Sequence, residues 1–432
     1  MAITYPITVP AISVTQPLGT FYVVSLPARV LLDTAYSDRL RAKRSLDGES
    51  YELEGSQRGL LTPRLRDIGA YIATEESTFP NSIILAPNFD PETGEPVEDD
   101  ESDKMLRWRI NEIPTPGVGK GVSYTLTIPT DAALAPIIDG QHRLYGFNFC
   151  NKPERLDTEL VCSLFPDLPK PFQAFLFAII NSNQKPVDKS QTFELFGYNI
   201  EKEPPGNWSP DKLAVYFARK LNTESDSPLC GRILVAAEND FALTRAQAKE
   251  KGTWMVSMAT VVEGISRLFS QNVKRDRTAL LSYRLGERNR EILAREAPGD
   301  KSPLRDLYLH LNDKVIYAAV KNYLVVAQEL FWSKCGPDSF ICKTVGIQAL
   351  FDVLLAVAKE GFATKTFSVD FFTRKLEPAA EINFGSERFK NASGSGKLLI
   401  KNCIFVKTGL EKEKIDNLKP LQRKEIDEAI AA

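Results

Sequence analysis

Histidine is nearly absent from this chain: only His142 and His310 occur in 432 residues, which excludes the clustered imidazoles of a typical zinc or copper centre. Cysteine is also scarce. Cys150, Cys162, Cys230, Cys335, Cys342 and Cys403 lie far apart, and none forms the Cys-x-x-Cys pair of a structural zinc site or a redox motif. Reduced thiols are the expectation. An excess of charge of one sign is missing as well. The 54 lysines and arginines face 56 acidic residues, and a net charge of −2 excludes a protein that coats nucleic acid through bulk charge. Any polyanion must be met by a local patch.

Long apolar runs are lacking too. The stretches from Tyr317 to Trp332 and from Val345 to Ala358 are short or interrupted by Lys321, Glu329 and Asp352, so no membrane span is expected. The opening MAITYPITVPAISV has prolines at 6 and 10 and no basic segment leading into an apolar one; it does not read as a signal peptide, and a cytoplasmic protein is expected. No fixed-period repeat is visible, which argues against a solenoid. No Ser-His-Asp order or paired-carboxylate spacing stands out either, since His310 sits alone among helical segments.

What is present suits two domains of mixed architecture, an α+β chain. GTFYVVSLPA from Gly19 reads as a strand, with a helix at Arg29 to Leu40 after it. A second helix is signalled by Thr62 as N-cap, Pro63 at the first helical position, and Leu65, Ile68 and Ile72 at helical period. Ser82 to Pro87, Val122 to Pro129 and Ala135 to Ile138 read as strands, and Pro171 to Ile180 as another. The acidic run from Asp90 to Lys104 reads as a mobile surface loop. The segment from Glu201 to Pro210, with charge, paired prolines and a glycine, marks a boundary between a domain at 1–200 and a mainly helical one at 210–432. The helical half closes on a charged segment from Glu411, broken at Pro420.

The chemistry-bearing feature is the turn Asp139-Gly140-Gln141-His142-Arg143, set between an apolar strand and a helix that begins toward Leu144, Tyr145 and Phe147. Gly140 permits a tight turn, unpaired amides at a helix start face the crevice, and Arg143 supplies a forked cation: an anion-site design. Gln141 and His142 add neutral polar contacts, and Asp139 holds a magnesium ion or orients Arg143. A purely structural reading stands beside this one, in which Asp139 caps the helix and pairs with Arg143 while His142 packs in the turn.

The pentapeptide, preceded by Ile137-Ile138 and followed by an aromatic-rich helix, resembles the defining box of DGQHR-domain proteins, which include the DndB-like family associated with DNA phosphorothioation. More distantly it is similar to the G-x-x-R box of ParB-like nucleotide-binding domains. Gln57-Arg58, then a helix, then Phe79-Pro80-Asn81-Ser82-Ile83-Ile84 follows the family's order, and Thr15-Gln16-Pro17-Leu18-Gly19 with Phe21-Tyr22-Val23 looks like its opening. The resemblance covers roughly residues 12 to 200, and more loosely Val345 to Ala358. It implies a ParB/DndB-like N-terminal domain and an accessory role in a bacterial DNA-modification system of the phosphorothioation or 7-deazaguanine type. It also implies NTP (ATP) binding with Mg2+ at the DGQHR pocket and slow ATP hydrolysis, with Asp139, His142 and Arg143 in the catalytic role and Asp139 as metal ligand. Gln57, Arg58, Gly140, Gln141, Asn181, Asn183, Gln184 and Lys185 are then the nucleotide-binding set. The second box, Ile180-Asn181-Ser182-Asn183-Gln184-Lys185, departs from the ParB pattern: no glutamate precedes Asn181, and Lys185 stands in place of arginine. The DndB resemblance equally implies a non-enzymatic DNA-binding regulator. DNA, other modification proteins and a second copy of the chain are the implied partners.

For DNA contact the stretch Gln271 to Arg290 offers Lys274, Arg275, Arg277, Arg284, Arg288 and Arg290, with Tyr283 able to stack on a base. A charged helix face explains the same residues, because Asp276 and Glu287 dilute the patch. Arg64 and Arg66 read as a solvated helix face. The Gly394-Ser395-Gly396-Lys397 stretch is not a P-loop: Asn391 occupies the first glycine position, Leu398 stands where Ser or Thr would bind magnesium, and KLLIKNCIF after it reads as a strand.

Overall fold

The computed structural model of the chain describes residues 3–37, 41–44, 51–54, 61–98, 106–114, 122–182, 189–190, 193, 203–234, 245–251, 253–390 and 394–431. The chain divides into two compact units, Met1–Lys185 and Pro186–Ala432.

In the first unit, period-two burial builds one eight-stranded sheet. β1 (Ile7–Gln16) and β2 (Gly19–Pro27) form a hairpin across Pro17-Leu18, with Gln16 opposite Gly19. The first half of β1 pairs instead with β8 (Val122–Ile128), from Ile7↔Ile128 to Ala11↔Tyr124, so one strand changes partner along its length and the sheet curls. β7 (Arg109–Pro114) closes that edge against β8. On the other side β2 pairs with β10 (Glu159–Leu164), β10 runs parallel to β6 (Ile83–Leu85), and β6 pairs antiparallel with β9 (Ala135–Asp139). The far edge is β3 (Ala35–Tyr36), parallel to β9. β4 (Arg41–Arg44) and β5 (Tyr51–Glu54) make a separate hairpin. In β10, Leu160, Cys162 and Leu164 face the core while Glu159 and Val161 face out; in β9, Ala135 to Ile138 are all buried, as in a strand covered on both faces.

Among the described residues, four α-helices accompany the sheet. The helix expected at Arg29 to Leu40 is α1 (Ala28–Thr34), which ends early because Ala35 turns extended and donates its backbone to the pairing with β9. α2 (Thr62–Ile72) carries Pro63 in its first turn, but its N-cap is Leu61 and no side chain caps it, so Thr62 has no capping role. α3 (Gln141–Tyr145) is a single turn that runs into a 3-10 turn at Gly146–Phe149. The segment expected as a strand at Pro171 to Ile180 is α4 (Lys170–Ser182). Thirteen residues with a nearly continuous apolar run hide the period; the Pro169 carbonyl accepts from the Phe172 and Gln173 amides and starts the helix.

The expected loop from Asp90 closes on itself at its start. Asp90 Oδ1 accepts from the Glu92 and Thr93 amides at 2.9 and 2.8 Å, which holds its carboxyl below the usual range, and Phe89 bridges to Pro96. Residues 99–105 lie outside the described part.

The second unit is helical, as its apolar stripes predict. Its principal helices are Pro210–Thr223, Met258–Ser266, Asp313–Leu330, Thr344–Ala363, Gly394–Thr408 and Pro420–Ile430, around a core that includes Phe217, Ile265, Tyr323, Leu354, Phe372 and Ile400. KLLIKNCIF, expected as a strand, lies within Gly394–Thr408: Leu399, Ile400, Cys403 and Ile404 are buried at helical spacing. The stretch Glu203 to Pro210 is built into this unit. The Trp208 carbonyl accepts from the Tyr308 hydroxyl at 2.8 Å and from Arg290 Nε at 3.2 Å.

Candidate functional site

β9 ends at Asp139 and the chain reverses through Gly140, whose φ of +100° lies in the left-handed region. Space adds a second demand. A Cβ at 140 would stand 2.7 Å from Ile83 Cδ1 and 3.2 Å from Arg143 Nη2. Glycine is therefore fixed here by conformation and by the close approach of β6.

Arg143 spends its guanidinium inside the protein. Nη2 donates to Asp139 Oδ2 at 2.6 Å and Nη1 to the Asn81 carbonyl at 2.7 Å, so the side chain ties the turn to the segment entering β6. Both charged groups are about three-quarters shielded from solvent. Of the two readings of the turn, the Asp139–Arg143 pair belongs to the structural one. Gln141 is buried, and its Oε1 accepts from the Ser37 hydroxyl at 2.7 Å, which anchors α3 to the strand edge at β3.

His142 differs from its neighbours. Its Nε2 is buried and has no hydrogen-bond partner. Partial burial, and then the positive charge of Arg64 on α2, hold the imidazole below its ordinary pKa against the opposing pull of Asp139. The ring is therefore neutral near pH 7. Arg64, read from sequence as a solvated face, is exposed on the first turn of α2 and places its charge on the same spot. α2 is brought this close because Gly146 packs directly under Ile68, where a larger residue would collide.

The short length of α3 alters the anion-site design. One helical turn sums few peptide dipoles, so the cation and the imidazole, rather than a helix terminus, supply the field for an anion. Asp139 is answered by Arg143, and among the described residues no group of three His, Cys, Asp or Glu side chains is placed to hold a metal. This carboxylate does not fit magnesium while the pair stands.

The remaining nucleotide-binding candidates are only partly placed. Gln57, Arg58, Asn183, Gln184 and Lys185 lie outside the described residues. Asn181 falls in the last turn of α4, so the expected strand-end loop is preceded by a helix, and α4 packs beside β9.

In the second unit the basic stretch separates into two sets. Arg290 is fully buried, in a bidentate pair with Asp313 at 2.6 and 3.1 Å, and its guanidinium stacks 4.5 Å from the Tyr308 ring. Arg277 meets the buried Asp211 at 2.5 Å, Arg305 meets the buried Asp276 at 2.5 Å, and Arg288 donates to the Tyr283 carbonyl. Tyr283, the candidate for base stacking, donates to Glu296 and accepts from Arg295. Lys274, Arg275 and Arg284 are the exposed cations of the stretch. Lys397 of the GSGK segment lies 3.0 Å from Asp352, which also pairs with Arg267.

Two constellations escaped the sequence reading. Asn88, at φ +82°, joins Trp108 and Asp167 by side-chain hydrogen bonds, and Arg107 completes the node on Asp167 at 2.8 Å. Its only signal was an asparagine after Pro87, a type that tolerates the left-handed region. Cys335 and Cys342, expected as reduced thiols outside any Cys-x-x-Cys pair, bring their sulfurs to 3.5 Å.

Neither protein-family models, curated proteins nor solved structures match the chain.

Proposed function

We propose that the Asp139–Arg143 turn, with Arg64, is the phosphate-recognition element of a nucleotide-binding domain in an accessory protein of DNA modification. The class of system rests on the resemblance to DGQHR-domain proteins. The observation that carries the phosphate assignment is the buried Nε2 of His142, without a partner and beside the Arg64 charge. A phosphate oxygen would accept from Nε2–H and pair with the exposed guanidinium, and a buried polar atom without a partner is otherwise costly. In this reading Arg143 positions the turn by holding Asp139 and the Asn81 carbonyl. Binding, rather than efficient hydrolysis, is the proposed activity, because Asp139 is engaged as an ion-pair partner. No metal-dependent step is drawn through it.

Isothermal titration with ATP, GTP, CTP and UTP, each with and without duplex DNA, tests this. At least one nucleotide should bind, and Arg64→Ala and His142→Gln should each weaken it by about tenfold or more, as for a charge-assisted hydrogen bond. A phosphate at Nε2 reverses the depressed imidazole pKa, so affinity should also rise as pH falls through the imidazole's titration in the bound state. Absence of binding by all four nucleotides under both conditions would sink the proposal.

A second reading, a DNA-binding regulator, is favoured by the exposure of Lys274, Arg275 and Arg284, next to Arg277, Arg288 and Arg290, which are partly or fully buried. It narrows the DNA-facing set to three residues, with Arg277 assigned to the Asp211 pair.

A further inference from the structure

The helix Asp313–Leu330 ends in a 3-10 turn at Trp332–Lys334, and Cys335 follows it at once. After four intervening residues a second 3-10 turn, Phe340–Cys342, leads into the helix Thr344–Ala363. The two sulfurs that result are 3.5 Å apart, in van der Waals contact and unbonded. They are not equivalent. Cys342 is 1 % exposed and rigidly held: its amide donates to the Ser339 carbonyl at 3.0 Å, and Gly346 packs directly against the Phe340 and Ile341 backbone. Cys335 is half-buried and lines an open cavity of about 240 Å³ with Leu330, Lys334, Glu381, Asn383 and Phe384. The connecting residues Gly336 to Asp338 include two exposed positions, which leaves Cys335 the more readily moved.

We propose that Cys335 and Cys342 form a dithiol site that a small-molecule disulfide of the glutathione class converts into an internal disulfide. The Cys335 thiolate, reached through the cavity, attacks one sulfur of the incoming disulfide; that S–S bond breaks and one glutathione thiolate leaves. Cys342 then gives up its proton and attacks Sγ of Cys335, expelling the second glutathione thiolate. Two protein thiols are oxidised by two electrons, one glutathione disulfide is reduced to two thiols, and the two protons pass to the leaving groups. Closing the bond requires the sulfurs to approach by roughly 1.5 Å, to the usual 2.0 Å. The order of attack follows from access. Burial, and then Cys335 itself, push the Cys342 thiol up, while Arg232 and Lys343 pull it down, so Cys342 carries little thiolate to act as the first nucleophile. Lys334 at the cavity wall offers a cation to a carboxylate of the oxidant, with Glu381 opposing it and Asn383 offering an amide.

Trypsin places both residues in one peptide, Cys335 to Lys343, which makes the test direct. The full-length protein is equilibrated across a series of glutathione to glutathione-disulfide ratios, trapped with N-ethylmaleimide and digested without reductant. The expected product is that peptide lighter by about two mass units than the unalkylated dithiol, with alkylation at both cysteines falling together by about tenfold as the ratio shifts. A glutathione adduct that persists on Cys335 while Cys342 still alkylates would overturn the proposal, as would a bridge from either residue to Cys230. Cys335→Ser should leave Cys342 without an adduct. An adduct on Cys342 in that variant would overturn the order of attack.

Discussion

A side chain added at residue 140 would meet two obstacles of different kinds, and they can be measured apart. The backbone at φ +100° is strained for any L-residue, and the Cβ would press on the tip of Ile83, which is fully buried. Gly140→Ala should cost about 1–3 kcal/mol, read as a lower urea midpoint with an unchanged slope. Combining it with Ile83→Val removes the tip in question, so the steric part should be recovered and the backbone part should remain. If the single variant matches the wild type, the conformation assigned to the turn is wrong. The turn itself was legible in the sequence, because an Asp-Gly step after an apolar run announces a tight reversal. The destination of its side chains was not. That Arg143 reaches the Asn81 carbonyl, and that Arg64 lies close enough to depress His142, are matters of tertiary placement with no local signal.

Between elements, the clearest electrostatic clasp joins the end of the helix Pro210–Thr223 to Asp313–Leu330. Glu224 receives the Tyr317 hydroxyl at 2.5 Å, Lys321 at 3.0 Å and Lys220 at 3.2 Å. Partial burial works to raise its pKa, but the Tyr317 hydroxyl and then the two lysines outweigh it and hold the carboxyl down to about 2. A folded-state pKa below the ordinary 4.5 means that the unfolded chain takes up the proton first as pH falls. The stabilisation is thus complete above pH 4.5, diminishes below it, and is gone near pH 2. Glu224→Gln should be less stable than the wild type at pH 6, and the gap should narrow to a small part of that by pH 2.5; urea unfolding at both values checks this. A gap independent of pH would show that the clasp acts by packing alone. Elements were unevenly legible. β2, β6, β8 and β9 could be read because short apolar runs end at proline, glycine or an acid, whereas the nearly continuous apolar run of α4 and the short run Leu398–Ile400 followed by Cys403–Val406 in Gly394–Thr408 resemble strands. The continuous partner change of β1 had no signal at all, since pairing is a property of two strands.

At the scale of the molecule, opposite charges nearly balance, and the structure shows how that balance is used in the second unit. Arginines 277, 290 and 305 are neutralised internally by Asp211, Asp313 and Asp276. Truncating Asp313 would strand the fully buried Arg290 guanidinium, the circumstance in which breaking a buried pair costs most. If the chain meets DNA through Lys274, Arg275 and Arg284, it neutralises three phosphates. The logarithm of the association constant should then fall against log salt with a slope of about −3. A filter-binding series yielding a slope steeper than about −6 would require a surface other than this one. Among the described residues no helix is long and apolar enough to cross a membrane.

The Asp139–Arg143 pair has one more consequence for the proposed site. An anion that reaches the turn finds a guanidinium already matched to a carboxylate, so engaging Arg143 is an exchange and not an addition. A monovalent ion gains nothing by displacing an equal charge that is covalently held in place. A phosphate met by Arg64 and His142 leaves that exchange unmade, so Asp139 and the tie to Asn81 stay in place while the anion binds beside them. The turn would then serve as a fixed template, tied to the segment entering β6 in the same way with or without an anion.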